Sequence, residues 1–172
     1  EFGEERRAIV TIAEVPDVMK KAILAAEDER FYSHGGVDYL SVLRAAASNV
    51  TTGTQQGAGT ITMQVARNFF LTREKTITRK LREVLLAWKI EANLGKDDIL
   101  QLYVNQIFLG QRAYGFAAAS QIYFGKPLQE VTSAEAAMLA GLPKAPSAFN
   151  PVSNPNRAKT RQLYVLRRMH EL

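Results

Sequence analysis

The chain has 172 residues, of which 47% are hydrophobic and 23% are charged, values typical of one globular domain over residues 1–172. It holds no cysteine, which excludes disulfides and thiolate metal sites, and it has no run of about 18 apolar residues that would span a bilayer. The formal net charge is +5, which favours an anionic partner.

The first half of the chain predicts one short strand and three helices. The β-prone run RAIVTI at residues 7–12 is the predicted strand. Pro16 suits the first turn of a helix that ends near Glu27, and Asp38 suits the cap of a second helix. Apolar residues recur every four positions over residues 61–69, which predicts a third helix. The intervening TTGTQQGAG at residues 51–59 predicts a mobile loop.

The second half is helical in period. A long helix is predicted over residues 75–93, and it should bury Ile77, Leu81, Val84, Leu85 and Trp88. The apolar pattern continues over residues 97–109. Thr132 and Glu135 form a capping box before an alanine-rich helix, and four prolines between positions 143 and 155 precede a final basic helix. The predicted fold is therefore mostly α.

The string EDERFYSHGG at residues 27–36 holds the first candidates for catalysis. Glu27 and Asp28 follow an apolar run, and a carboxylate there loses solvation, which raises its pKa and suits it to act as a general base. The alternative is that both acids lie on a solvated helix end. His34 by itself is typical of a structural histidine, and the lack of HExxH spacing argues against a catalytic zinc site.

The basic residues are concentrated in residues 67–82, which hold six basic residues and one acid, an excess equal to the whole net charge. Such a cluster indicates nucleic acid, a phosphorylated ligand or a membrane surface as partner. Arg79 and Lys80 precede Glu83 by about one helical turn, so the three share a helix face. That face is either a surface ion-pair ladder or a phosphate-binding face with an embedded acid. No GxxxxGK[ST] or GxGxxG motif is present, which argues against nucleotide binding.

Five ordered motifs resemble the peptidoglycan glycosyltransferase domain, family 51 of the glycosyltransferases, found in class A penicillin-binding proteins and monofunctional transglycosylases. They are EDERFYSHGG, GAGTITMQ (57–64), RKLRE (79–83), KDDILQLYVNQIFLG (96–110) and EAAMLAGLPKAPSAFNP (135–151). This resemblance covers essentially the whole chain. It implies a lysozyme-like α-helical fold with a small membrane-associated jaw subdomain, which we expect at about residues 40–75. It also implies polymerisation of lipid II into β-1,4-linked glycan strands, with inversion and release of undecaprenyl pyrophosphate.

The resemblance implies roles for single residues. Glu27 matches the catalytic base, Asp28 lies in the same motif and is expected to fix local geometry, and Glu83 matches the second essential acid. The expected substrate-binding residues are Gln64, Arg67, Lys75, Arg79, Lys80, Thr60, Gly59, His34 and Asn105. For Asn105, as for Gly110 in the same motif, we favour a structural role.

The chain departs from the family pattern at three positions. The second motif usually reads GxSTITQQ, whereas Gly59 here replaces the serine and Met63 replaces the first glutamine. Losing the hydroxyl at position 59 removes one expected polar contact to the donor. Lys75 stands where arginine is common, so a point charge replaces a fork-shaped donor.

The resemblance also implies partners and a location. We expect lipid II, the growing glycan chain and the outer surface of the cytoplasmic membrane as partners, moenomycin as an inhibitor, and no nucleic acid. The location would be the inner membrane, on its periplasmic side, within a longer membrane-anchored protein of which this chain is a fragment. Apolar residues that would enter the lipid interface are Leu40, Val42, Leu43, Phe69, Phe70 and Leu71. No motif demands a cofactor, and the need for a divalent cation, Mg²⁺ or Mn²⁺, stays open.

Two other protein classes share part of this pattern. A lytic transglycosylase or lysozyme-like hydrolase would also use one glutamate in an α-helical fold. It has no pyrophosphate leaving group, so the basic cluster would have no purpose. A helical nucleic-acid-binding module would account for the charge, but not for the acid pair at Glu27 or for Glu83 within the basic face.

Overall fold

Helices form most of the chain that the computed structural model describes, namely residues 9–52, 59–70 and 77–172. Those ranges contain eight α-helices and two 3₁₀ turns, Ile12–Glu14 and Leu128–Glu130. The α-helices are α1 (Asp17–Glu27), α2 (Tyr39–Thr52), α3 (Ile61–Phe70), α4 (Ile77–Asn93), α5 (Lys96–Gln106), α6 (Phe116–Phe124), α7 (Ser133–Ala140) and α8 (Pro155–Glu171). The predicted mostly α fold is confirmed.

The predicted strand at residues 7–12 is wrong where it can be followed, since residues 9–11 form no ladder and a 3₁₀ turn begins at Ile12. The side chain of Asn105 takes the place of a neighbouring strand. The Val10 N–H donates to Asn105 Oδ1 at 2.9 Å, and Asn105 Nδ2 donates to the Val10 carbonyl at 2.8 Å. One side-chain amide therefore satisfies both backbone groups of a β-prone residue.

The chain divides into two compact units, and the first comprises Glu1–Glu29 and Leu100–Leu172. In this unit α1 packs against α7 and α8, and α7 also packs against α6. Small side chains permit close helix contacts, because Ala22 of α1 and Ala136, Ala137 and Ala140 of α7 are fully buried. The predicted capping box of α7 is confirmed by reciprocal hydrogen bonds between Thr132 and Glu135.

The second unit, Arg30–Ile99, contains α2, α3 and α4. Asp38 caps α2 as predicted, since its Oδ1 accepts from the Ser41 N–H at 3.3 Å. Helix α3 packs against α4 around a small core of Val37, Met63 and Ala87. This packing fixes which face of α4 is buried.

The predicted buried face of α4 is wrong at three positions. Leu81, Leu85 and Trp88 are 62%, 60% and 43% exposed, although Val84 is partly buried as expected. The helix instead buries the row that contains Glu83, Ala87 and Ile90. The spacing of apolar residues gave the wrong face, because the acid at position 83 is neutralised by cations and takes the buried place. The side chain of Ile77 lies outside the described residues.

Exposed apolar side chains lie on α2 and α3. Leu40, Val42 and Leu43 of α2 and Phe69 of α3 are all more than 40% exposed. The other two predicted interfacial side chains, Phe70 and Leu71, lie outside the described part, as does most of the predicted loop at residues 51–59. The jaw at residues 40–75 stays a prediction. None of the described helices combines the length and apolarity needed to cross a membrane.

Candidate active site

Glu27 is the last residue of α1, and its side chain is only 10% exposed. The helix ends there because the next residue, Asp28, turns to an extended φ of −163° while its N–H still bonds to the Leu24 carbonyl. The C-terminal end of a helix carries a partial negative charge, which disfavours a carboxylate. A cation offsets this: Nη2 of Arg161, on α8, lies 3.7 Å from Glu27 Oε1.

Two further groups of the first unit surround this carboxylate. Asp28 is buried, and Tyr103 of α5 is completely buried. Burial raises the pKa of Tyr103 well above its usual value of 10, and the charges of Glu27 and Asp28 raise it further. Glu27 therefore lies in a poorly solvated surrounding that already holds a second acid.

The sequence reasoning missed Arg161 as a site residue and gave Tyr103 only a place in the core. Helix α8 contains several basic residues, so nothing in the neighbouring sequence distinguishes Arg161 from the others. The signal for Tyr103 is weak as well, because a buried aromatic residue on an amphipathic helix is ordinary.

Glu83, the second predicted acid, lies on α4 in the second unit and is fully buried. Arg67 of α3 donates from Nε to Glu83 Oε1, and Nζ of Lys80 lies 3.2 Å from Oε2. The two cations are 37% and 55% exposed. The buried acid thus fixes two cationic side chains whose charged groups reach the surface, and the cluster retains a net positive charge.

Two further predicted residues, Gln64 and Arg79, lie on the helices that carry this cluster. Gln64 precedes Arg67 by three residues on α3 and is half-buried, and Arg79 of α4 is half-buried next to Lys80. Lys75 lies outside the described residues. Lys80 and Glu83 therefore share a helix face, as predicted. Because Glu83 is buried, the pair is not part of a ladder of surface ion pairs.

The start of α3 brings Thr60 and Gly59 to this cluster. Thr60 caps the helix, since its Oγ1 accepts from the Met63 N–H at 3.1 Å and donates to the Gly36 carbonyl at 2.6 Å. A Cβ at Gly59 would have Nη2 of Arg67 as its nearest atom, at 3.9 Å. The departure at Met63 has a structural explanation, because this side chain is buried in the core of the unit.

His34 and Asn105 are both buried and bonded within their own units. Nδ1 of His34 accepts from the Gly36 N–H at 3.0 Å, and Asn105 holds Val10 through both ends of its amide. Gly110 has a φ of +80°, and a Cβ there would lie 2.8 Å from the Tyr123 hydroxyl. These contacts agree with the structural role favoured for Asn105 and Gly110.

No group of three or more histidine, aspartate or glutamate residues within the described ranges is arranged to hold a metal ion. The residues that carry charge at these sites are instead two buried acids and their basic partners. Groups of these kinds are suited to proton transfer and to the binding of an anion.

The comparison with known proteins gives the family. The family model described as Transglycosylase matches residues 1–170. The chain belongs to the transglycosylase family, and the predicted enzyme class, a glycosyltransferase, is confirmed by that membership.

Relatives of this chain carry matching names. Penicillin-binding protein 1A of Neisseria gonorrhoeae is 62% identical over 171 residues, which are 99% of this chain and 21% of that protein. A putative transglycosylase of Cupriavidus necator is 61% identical, over 95% of this chain and 71% of that protein. The chain therefore spans about a fifth of the length of the penicillin-binding proteins 1A that it matches.

A solved structure supports the fold assignment. The crystal structure of penicillin-binding protein 1A from Haemophilus influenzae matches with a TM-score of 0.54 and 32% sequence identity. The match covers 97% of this chain and 15% of that chain. Nearly all of the chain thus corresponds to one portion of a larger protein.

Proposed function

We propose that this chain is a peptidoglycan glycosyltransferase that polymerises lipid II into β-1,4-linked glycan strands, with inversion at the anomeric carbon. The membership of the transglycosylase family and the names of the relatives support a role in cell-wall synthesis. The described residues add the chemistry by which the transfer would proceed.

The observation that carries the proposal is the fully buried Glu83 with the exposed cations Arg67 and Lys80. A buried carboxylate needs such partners, and both of these cations also keep part of their side chains exposed to a ligand. Exposed cations in fixed positions suit a ligand with several negative charges, and charge-assisted hydrogen bonds to phosphate are among the stronger ones. Arg79 and Gln64 extend this anion site, which receives the pyrophosphate of the donor, and Lys75 is expected from the family resemblance to bind the same group.

Glu27 acts as the general base. Its carboxylate takes the proton from the 4-hydroxyl of the acceptor sugar while that oxygen attacks the anomeric carbon of the donor. The bond from this carbon to the pyrophosphate oxygen breaks, and undecaprenyl pyrophosphate leaves with the electron pair. The cations around Glu83 stabilise the charge that develops on this leaving group. Each proton and electron pair is thereby accounted for without a cofactor step.

The remaining predicted residues act around these two acids. Asp28 fixes the end of α1. Thr60, His34 and Asn105, whose polar groups bond within the fold, contribute to substrate binding through the backbone that they hold. Gly59 lies beside Arg67 and lines the approach to the anion site.

The reaction takes place at the outer surface of the cytoplasmic membrane, where lipid II presents its sugars. The exposed side chains of Leu40, Val42 and Leu43 on α2 suit contact with the lipid interface. Moenomycin, whose phosphoglycerate mimics the donor phosphates, would bind to the same cations and inhibit the enzyme.

The test is polymer formation by the purified protein from lipid II in vesicles or detergent. We expect glycan strands, with one undecaprenyl pyrophosphate released for each bond formed. Preformed glycan offered in place of lipid II should stay intact. Cleavage of that glycan, or the absence of polymer from lipid II, would contradict the proposal and favour a hydrolase.

A further inference from the structure

Arg161 is a buried arginine that faces the proposed base. Its side chain and that of Glu27 are each only 10% exposed, with 3.7 Å between Nη2 and Oε1. This distance is that of an ion pair and exceeds that of a hydrogen bond. The pair therefore acts through charge, and its partners come from helices far apart in sequence, α1 and α8.

The position of the guanidinium is set by aromatic rings. Its Cζ lies 4.9 Å from the ring centroid of Tyr164 and 5.6 Å from that of Phe149. Among the described residues, Arg161 Nε has no hydrogen-bond partner. Ring faces and the charge of Glu27 thus hold the guanidinium.

The backbone of Gly141 packs closely against the aliphatic part of the Arg161 side chain. A Cβ at Gly141, in the residue that ends α7, would lie 2.7 Å from Cγ of Arg161. Real Cβ atoms do not approach other heavy atoms so closely, so any larger residue at position 141 would displace the arginine.

Charged groups lie beside Glu27 and on α7 and α8, the helices that pack against α1. Asp28 and the neutral hydroxyl of Tyr103 lie near Glu27, and the charge of Asp28 disfavours a second negative charge beside it. On α7, Glu135 is bonded to Lys126 and Thr132. On α8, Arg168 is paired with Glu29 and Glu171. Arg161 is the cation of α8 that is paired with Glu27.

We propose that Arg161 is the positioning residue of Glu27, which keeps its carboxylate ionised and fixes the direction of Oε1 towards the acceptor hydroxyl. This inference rests on the proposed role of Glu27 as the base. Without a nearby cation, burial, the helix terminus and Asp28 would all favour the protonated acid, which cannot accept a proton.

The test is the pH dependence of kcat/KM for lipid II polymerisation by Arg161→Gln, which removes the charge. An opposite charge at this distance lowers the pKa of a carboxyl by about 1–3 units. Its loss therefore moves the acidic limb of the profile to higher pH by about 1–3 units, and activity returns towards the wild-type level in alkali. Arg167→Gln, the same change at an exposed position of α8, should leave the limb in place.

A purely structural role predicts another result, namely loss of activity by the same factor at every pH. That result, or a wild-type profile in Arg161→Gln, would overturn the proposal. If Arg161→Gln does not fold, Arg161→Lys decides, because it retains the charge and loses the planar group. We expect its acidic limb to match the wild type with a lower plateau, and a limb displaced by more than about one unit would overturn the proposal.

Polymer formation by the wild type and by Glu27→Gln separates a failure of the proposed function from a failure of the inference about Arg161. If the wild type forms no polymer, the function and this inference both fall. If the wild type forms polymer and Glu27→Gln forms it equally well, the base is misassigned and Arg161 has no base to position. If Glu27→Gln is inactive and Arg161→Gln keeps the wild-type profile, only the inference about Arg161 fails.

Discussion

Glu27 and Glu83 are both buried glutamates with basic partners, but the partners differ in exposure. Glu27 pairs with one arginine that is as buried as the acid itself. Glu83 pairs with Arg67 and Lys80, which are four to six times as exposed as Arg161 is. A buried cation serves the acid beside it, whereas exposed cations are available to a ligand. The difference teaches that two buried acids of one chain can have surroundings suited to distinct roles.

The geometry of the two pairs supports the same division. Glu83 is in direct contact with its cations, since Arg67 donates a hydrogen bond and Lys80 lies within 3.2 Å. A carboxylate held this closely by two cations has its oxygens occupied by those partners. Glu27 Oε1 lies 3.7 Å from Nη2 of Arg161, which is beyond hydrogen-bond distance, so this cation leaves the oxygen accessible to another partner. We therefore propose that Glu27 transfers the proton and that Glu83 fixes the cations.

The largest expected effect is that of Glu27→Gln. Glutamine keeps the shape of the side chain and removes its basicity, so polymerisation of lipid II should fall by about 10²–10⁴ in rate. The measurement is the initial rate of polymer formation together with a melting curve, which should show a folded protein.

Glu29→Gln is the matched control for that change. It removes another partly buried acid, two residues further along, that pairs with Arg168. We expect it to retain wild-type turnover. A rate for Glu27→Gln above about a tenth of the wild-type rate would mean that Glu27 is not the base.

The next effect concerns the exposed cations. Arg67→Ala and Lys80→Ala should each weaken moenomycin binding about 10- to 150-fold, since hydrogen bonds to charged groups contribute about 1.5–3 kcal/mol. Titration calorimetry or a displacement assay gives the dissociation constant. Arg82→Ala removes the same charge from an exposed position on α4 and should change the affinity far less. Equal losses in all three variants would show that net charge, and not a defined site, binds the ligand.

A smaller effect is expected at Gly59. The nearest atom to an added Cβ is Nη2 of Arg67 at 3.9 Å, so serine fits and places its hydroxyl beside that guanidinium. Thr60 already caps α3, so the melting temperature of Gly59→Ser should stay within about 2 °C of the wild type. Polymerisation should rise severalfold, or the KM for lipid II should fall.

Gly59→Ala separates the hydroxyl from the Cβ. It should reproduce the unchanged stability without the gain in activity. A serine variant no more active than the alanine variant would mean that the donor site is adapted to glycine.

The smallest effect belongs to a cap far in sequence from both acids. Thr132→Ala removes the hydroxyl that accepts from the Glu135 N–H, and such a change costs about 1 kcal/mol of stability. Urea denaturation measures this cost, and turnover at full saturation should not change. A loss of turnover at unchanged stability would show that the site is more widely coupled to the first unit than the comparison of the two acids implies.

The same cap has a pH dependence of known sign. A hydrogen bond from Lys126 Nζ, and a second from the Thr132 N–H, hold the pKa of Glu135 below its ordinary value of 4.5. A carboxyl with a lowered folded-state pKa stabilises the fold above the unfolded value, and this contribution is lost as the pH falls through the folded value. The stability of the wild type should therefore exceed that of Glu135→Gln at neutral pH, and the difference should shrink below pH 4.5.

Local features were predictable from the sequence. The capping box at Thr132 and the cap at Asp38 depend on neighbours a few residues away, and both are confirmed. The exposure of Leu81, Leu85 and Trp88 was not predictable, because the orientation of α4 depends on Arg67 of another helix, which neutralises Glu83. The pairing of Arg161 with Glu27 has the same origin, since only tertiary structure brings α8 to the end of α1.

The most direct test of the division between the two acids measures turnover and moenomycin affinity for Glu27→Gln and Glu83→Gln side by side. We predict that Glu27→Gln binds moenomycin as the wild type does and loses about 10²–10⁴ in rate. Glu83→Gln should lose affinity about tenfold or more, because Arg67 and Lys80 lose the anion that fixes them. Impaired binding in Glu27→Gln together with wild-type binding in Glu83→Gln would contradict the account.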